Sequence, residues 1–240
     1  MKYENGSWYM TGVPREHPDR LKTLDALITY VNEVGFLPLF GNEIDGFSVE
    51  DRVCPSDWWT EDAERDPWEW RVGAARSGKV AYGKFFGKKA GFVSLEWLPR
   101  FVNYRRDGYD FDSRYEEGLA KHREQLIMQL FASRDALPSY EIKQLAGFGK
   151  GGEKNYSGII TDLQMQTYLT IHDFRRRINK KGQPYGMAVA VYAPPETLFG
   201  ETLVTSAYHE EPAESFQKII AHLTAQFPDA TEAELRALLR

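Results

Sequence analysis

The sequence predicts an α+β fold, with a winged helix-turn-helix in the C-terminal half, 113–240, behind a smaller aromatic-rich α+β region, 1–112. Three observations carry that expectation. Between Arg114 and Gln166, three successive segments place apolar residues at helical spacing. Directly after them the pattern changes to the two-residue period of paired strands, around the turn Asn179–Lys180–Lys181–Gly182. That turn is strongly basic, in a chain whose formal net charge is −5.

The elements follow in order. From Asp19 to Gly35, Leu21, Leu24, Leu27, Ile28, Val31 and Val34 recur at three- and four-residue steps, and Gly35 stands where a helix should stop. Phe36–Phe40 is a short apolar run interrupted by Pro38. Between 45 and 70 the composition turns acidic: Asp45, Glu50, Asp51, Asp57, Glu61, Asp62, Glu64, Asp66 and Glu69 face only Arg52 and Arg65. Trp58, Trp59, Trp68 and Trp70 sit in the same stretch. Indoles are costly to leave in water, so a folded lid is favoured over an interaction surface. Residues 79–98 predict a hairpin around Gly87, Lys88 and Lys89, with Ser94 capping a turn of helix towards Leu98. The polar, turn-rich segment 103–114 is where a boundary between the two halves is expected.

In the second half, Leu119, Leu126, Ile127, Leu130 and Phe131 predict one long helix over 114–132. Pro138 and Ser139 open a second, with Ile142 and Leu145 facing inward and Gly147 ending it. A glycine-rich link leads to a third, marked by Tyr156, Ile159, Ile160 and Leu163. Two strands follow, 168–177 and 185–192, the latter alternating Val189 and Val191 with alanines. Three helices and a hairpin in this order make a winged helix, with the second and third helices as the expected reading pair and the hairpin as the wing. Further on, Phe216, Ile219, Ile220 and Leu223 give 214–225 an apolar face for its own core or for a homodimer, and a last short helix is expected from Thr231.

Charge gives the wing a function. Between 143 and 181 the cations are Lys143, Lys150, Lys154, Arg175, Arg176, Arg177, Lys180 and Lys181, against Glu153, Asp162 and Asp173. The segment is therefore +5 and the rest of the chain −10. Phosphate binding follows local charge, so Lys150, Lys154, Arg175, Arg176, Arg177, Lys180 and Lys181 are the candidate contacts to double-stranded DNA. An acidic body should keep that contact compact. The plain alternative is a solvated tip whose cations merely discourage edge pairing.

Other chemistry is thin. Cys54 is the one cysteine, which excludes an intrachain disulfide and a cysteine-cluster zinc site. His17, His122, His172, His209 and His222 are scattered, so no metal is expected. Gly147, Gly149, Gly151 and Gly152 follow a helix rather than a strand and match neither phosphate-loop spacing, so no cofactor is expected. No apolar run approaches the roughly 20 residues of a membrane helix, and MKYENGSWYM lacks a signal peptide's apolar core, so a cytoplasmic protein is expected. One pair remains: Gln164 and Gln166. Two amides can orient a water without adding charge. Residues two apart share a face on a strand but diverge by about 200° on a helix, so joint action requires the helix to end near Leu163. Thr161 and Gln164 also match a capping box.

KVAYGKFFGKKAGFVSLEWLPRF, EIKQLAGFGKGG and LQMQTYL together resemble proteins related to the AlkZ-like winged-helix DNA glycosylases, over about residues 68–200. Those glycosylases remove bulky alkylated bases without metal or cofactor, and a Gln-x-Gln or Gln-x-Asp pair is associated with their catalysis. The resemblance implies that Gln164 and Gln166 hold a hydrolytic water, and that the 175–181 hairpin grips or probes the duplex. Two other classes fit the same sequence: a winged-helix transcription regulator with an effector pocket in its aromatic half, and an interaction module without catalysis.

Overall fold

Thr23 starts the first long helix: its hydroxyl accepts from the Ala26 amide, and α1, Leu24–Val34, runs to Gly35, whose φ of 80° stops it. Leu27, Ile28, Val31 and Val34 are buried, the stripe that the periodicity predicts. The structure is a computed structural model that describes residues 2–4 and 6–240. Ahead of α1 it has a short antiparallel pair, β1 (Lys2–Glu4) and β2 (Ser7–Tyr9).

After α1, β3 (Phe36–Pro38) pairs with the second strand of a hairpin, β4 (Val80–Phe86) and β5 (Lys89–Ser94), in the order β3-β5-β4. The hairpin is where the sequence places it. The acidic stretch between them is folded: it ends in α2, Pro67–Ser77, capped by Asp66 and opened by a proline that has no amide to lose. Trp58 and Trp70 are buried and Trp68 half-buried, while Trp59 is 55% exposed. Asp57 is buried too, its charge met by Arg15, Arg20 and Arg65. A Cβ on Gly73 would lie 2.4 Å from Leu24 Cδ2, so a larger residue there would require the Leu24 side chain of α1 to move.

Next come α3 (Leu98–Arg106), α4 (Phe111–Glu116, capped by Asp110) and α5 (His122–Met128). The single helix predicted over 114–132 is thus two helices and a break. Gly118 adopts φ 74°, and a new helix opens at Lys121, whose amide donates to Glu124 of the first turn. Leu119 falls in the break and is half exposed rather than on an apolar face.

The remaining order is β6 (Leu137–Pro138), α6 (Ser139–Leu145), α7 (Tyr156–Met165), β7 (Thr170–Ile178) and β8 (Pro184–Ala193), with the strands arranged β6-β8-β7. Taken with α5, this is the order of three helices and a hairpin that the sequence predicts; β6, like β1 and β2, is a strand the sequence does not announce. Ile142 is buried as expected, but Leu145 is 49% exposed. The chain ends in α8 (Pro195–Phe199), α9 (Glu201–Val204), α10 (Pro212–Gln226) and α11 (Glu232–Leu238), the last capped by Thr231 and Glu234. Phe216, Ile219, Ile220 and Leu223 of α10 are buried within the chain, with Tyr104 of α3 stacked on Phe216 at 4.3 Å.

Side chains from both sides of the 103–114 segment share one apolar core running from Leu21 to Leu239. Polar ties cross it as well. Arg106, 2% exposed, donates to Glu196 at 2.5 Å and to the Thr167 carbonyl at 2.8 Å, and Thr170 donates to the Tyr82 carbonyl at 2.7 Å. No helix is long and apolar enough to cross a membrane among the described residues.

Candidate nucleic-acid interface

The wing leaves the body at a fixed point. Up to Phe174, β7 is buried or half-buried; from Arg175 round to Ala188 every residue is exposed. At the tip, the Asn179 side chain accepts from the Lys181 and Gln183 amides, and Gly182 at φ 75° closes the turn. The hairpin is not regular. Arg175 pairs with Val189 and Arg177 with Tyr185, so Arg176 faces three residues of β8, and Gly186 at φ 71° begins that bulge. Met187 is thrown out to 88% exposure, and Ile178 and Tyr185 are exposed at 59% and 49%.

The cations fall into three groups. Arg175 donates to Asp173 at 3.0 Å, and Asp173 also takes Arg76 of α2 at 2.5 Å. Burial alone would raise the Asp173 carboxyl, but hydrogen bonds from Arg76, Arg175 and the Phe174 amide hold it below its ordinary value. Arg177 lies over the Tyr140 ring at 5.1 Å, oriented without being neutralised. Arg176, Lys180 and Lys181 are exposed, with no carboxylate partner among the described residues. Lys150 and Lys154 are equally exposed in the glycine-rich link, and Lys150 shares an open groove with Tyr140 and Lys143 of α6. In that link Glu153 is paired with Arg123, which removes a repulsive charge from the same face.

The expected reading helix is placed differently. Ile159, Ile160, Thr161, Leu163 and Gln164 of α7 are buried, and Ser157 is its one fully exposed residue. The β4–β5 hairpin covers it: the Lys84 amide donates to Gln164 Oε1 at 3.1 Å, Lys84 Nζ lies 3.4 Å from Thr161 Oγ1, and the Lys88 amide reaches the Met165 sulfur at 3.2 Å. The surface α7 keeps, Tyr156, Ser157, Gly158, Asp162 and Met165, carries no cation for a phosphate.

This also fixes the two glutamines. The helix continues through Met165, past the point at which Gln164 and Gln166 could act together. Gln164 is 0% exposed, its Nε2 donating to Ile160 O at 3.0 Å while Oε1 accepts from Lys84. Gln166 caps the helix end and donates to Glu124 at 3.2 Å, leaving its Oε1 without a hydrogen bond. The capping box is absent, because Thr161 lies inside the helix rather than at its start. Among the described residues, no group of three or more His, Cys, Asp or Glu side chains is arranged to hold a metal. Sequence reasoning missed Tyr140, Asp173, Arg71 and Arg76 around the wing root; Arg76 and Asp173 lie 97 residues apart, and no local period links them.

Fold and site define a mixed α+β protein with small antiparallel sheets and an exposed basic wing. The chain belongs to the AlkZ-related family, whose model matches residues 21–240. No curated protein matches it. Among solved structures it is similar to a MarR-family transcriptional regulator from Silicibacter pomeroyi, at 15% identity over 60% of this chain and 78% of that one, with a TM-score of 0.23.

Proposed function

We propose that the protein binds duplex DNA through its wing, with the body of the winged helix serving as a mount rather than a reader. The observation that carries this is the exposed arm 175–188, where unpaired Arg176, Lys180 and Lys181 stand beside exposed Ile178, Tyr185 and Met187. Cations suit the phosphates, and apolar side chains next to them suit a groove wall or an opened base step. Lys150 and Lys154 extend the basic face along the link. The surface of α7, which carries no Lys or Arg, does not favour the regulator alternative, which needs a reading helix in the major groove.

Base excision is the finer reading, and its support is family membership. Gln164 does not favour it, since both ends of its amide are already bonded; Gln166 keeps one free acceptor. Incubation with duplex carrying a bulky alkylated purine tests excision: abasic sites that persist in the Gln164→Ala, Gln166→Ala variant would clear both residues of a catalytic role. DNA binding itself is tested by titrating duplex against salt with Arg175, Arg176, Arg177, Lys180 and Lys181 neutralised. Each lost phosphate contact should flatten the log–log salt slope by about 0.9. Equal affinities and slopes in variant and wild type would end the proposal.

A further inference from the structure

The wing is an exposed lever, so what holds its root decides where the tip points. Phe174 is the last residue of β7 before the exposed arm. The guanidinium carbon of Arg71 lies over its ring, 4.1 Å from the centroid, and also over the Trp68 ring, 3.7 Å from that centroid. Arg71 is only 8% exposed, out of reach of a nucleic acid. Five residues along α2, Arg76 bonds Asp173 at 2.5 Å and the Phe174 carbonyl at 3.4 Å. The root is therefore held from the N-terminal half, by two arginines of one helix.

We propose that Arg71 is a positioning residue for DNA binding: lying over both the Trp68 and Phe174 rings, it sets the angle of the wing without touching the duplex. This rests on the function proposed above. A guanidinium suits the role because it is planar and stacks on two rings at once, whereas a lysine ammonium presents no flat face. The lever arm makes small tilts matter. Six strand residues carry the tip roughly 20 Å from the root. A tilt of about 10° there would move Lys180 by about 3 Å, roughly the length of a hydrogen bond.

Arg71→Lys keeps the charge and removes the stacking; Phe174→Leu keeps apolar bulk and removes the ring from the other side. Each is measured for duplex affinity over a salt series. Each is also spin-labelled at Lys79→Cys and Gln183→Cys, Cys54 being buried, to read the distance from body to tip in the free protein. Both variants should lose about five- to tenfold in affinity, with an unchanged salt slope and a broadened distance distribution. Three results would overturn the proposal: affinities within twofold of wild type, an affinity loss with an unbroadened distribution, or a flattened salt slope, which would make Arg71 a phosphate contact. If the wild type binds no duplex, the proposed function fails and Arg71's service to DNA fails with it, while the label distances still decide whether it mounts the wing.

Discussion

The wing and α7 lie next to each other in the chain and use their polar residues in opposite ways. On the wing, Arg176, Lys180 and Lys181 have no partner among the described residues and stand in solvent. On α7, both ends of the Gln164 amide are bonded to backbone groups of its own chain. A buried amide must be satisfied, so once β4 closes over α7, Gln164 becomes part of the seam. A surface cation has no such obligation and remains available to a ligand. Polar residues in one short segment thus separate into those that hold the fold and those it can spend outside.

Breaking this comparison at the wing should have the largest effect on binding and the smallest on folding. Arg176→Gln, Lys180→Gln and Lys181→Gln together should flatten the salt slope by about 2.7, for three phosphate contacts. Thermal unfolding should stay within about 0.5 kcal/mol of wild type, as for surface substitutions generally. The mirror experiment is Gln164→Ala, which leaves the Lys84 amide without its buried acceptor and should cost about 1–3 kcal/mol of stability, read by denaturant titration. If Gln164→Ala instead leaves stability untouched, the seam is not what employs that residue.

How much of this was legible in the sequence follows from the range of each interaction. α1, the β4–β5 hairpin, α6, α7 and the wing were all readable, because three- or two-residue periods and stop residues such as Gly35 are local. Local signals also misled: apolar spacing ran unbroken through Gly118, whose left-handed backbone splits the expected helix. β6 has two residues, too few for any period. The cations of the wing could be counted, since exposed charge needs no partner. The enclosure of α7 could not, because Lys84 lies 80 residues from Gln164. Leu145 was expected inside from its spacing with Ile142, yet a helix of this length buries a narrow stripe and leaves it outside. Arg71 and Arg76 carried no signal among the tryptophans; only the folded chain brings them to the wing root.

The comparison can be sharpened at the junction itself, where Asp173 belongs to both regions: it pins the wing root to α2 and partly neutralises Arg175. Its carboxyl is held below the ordinary value despite burial, by Arg76, Arg175 and the Phe174 amide. A carboxylate depressed in the folded state contributes stability that is present above its unfolded value, about 3.9, and is lost as pH falls through the lower folded value. Wild type and Asp173→Asn should therefore differ in unfolding temperature by a constant amount at neutral pH, and the gap should narrow only below about pH 4. The effect is modest, because Arg76 and Arg175 are more than half exposed and water screens them. A gap that does not change between pH 7 and pH 3 would mean that hydrogen-bond geometry, rather than the carboxylate's charge, holds the wing root in place.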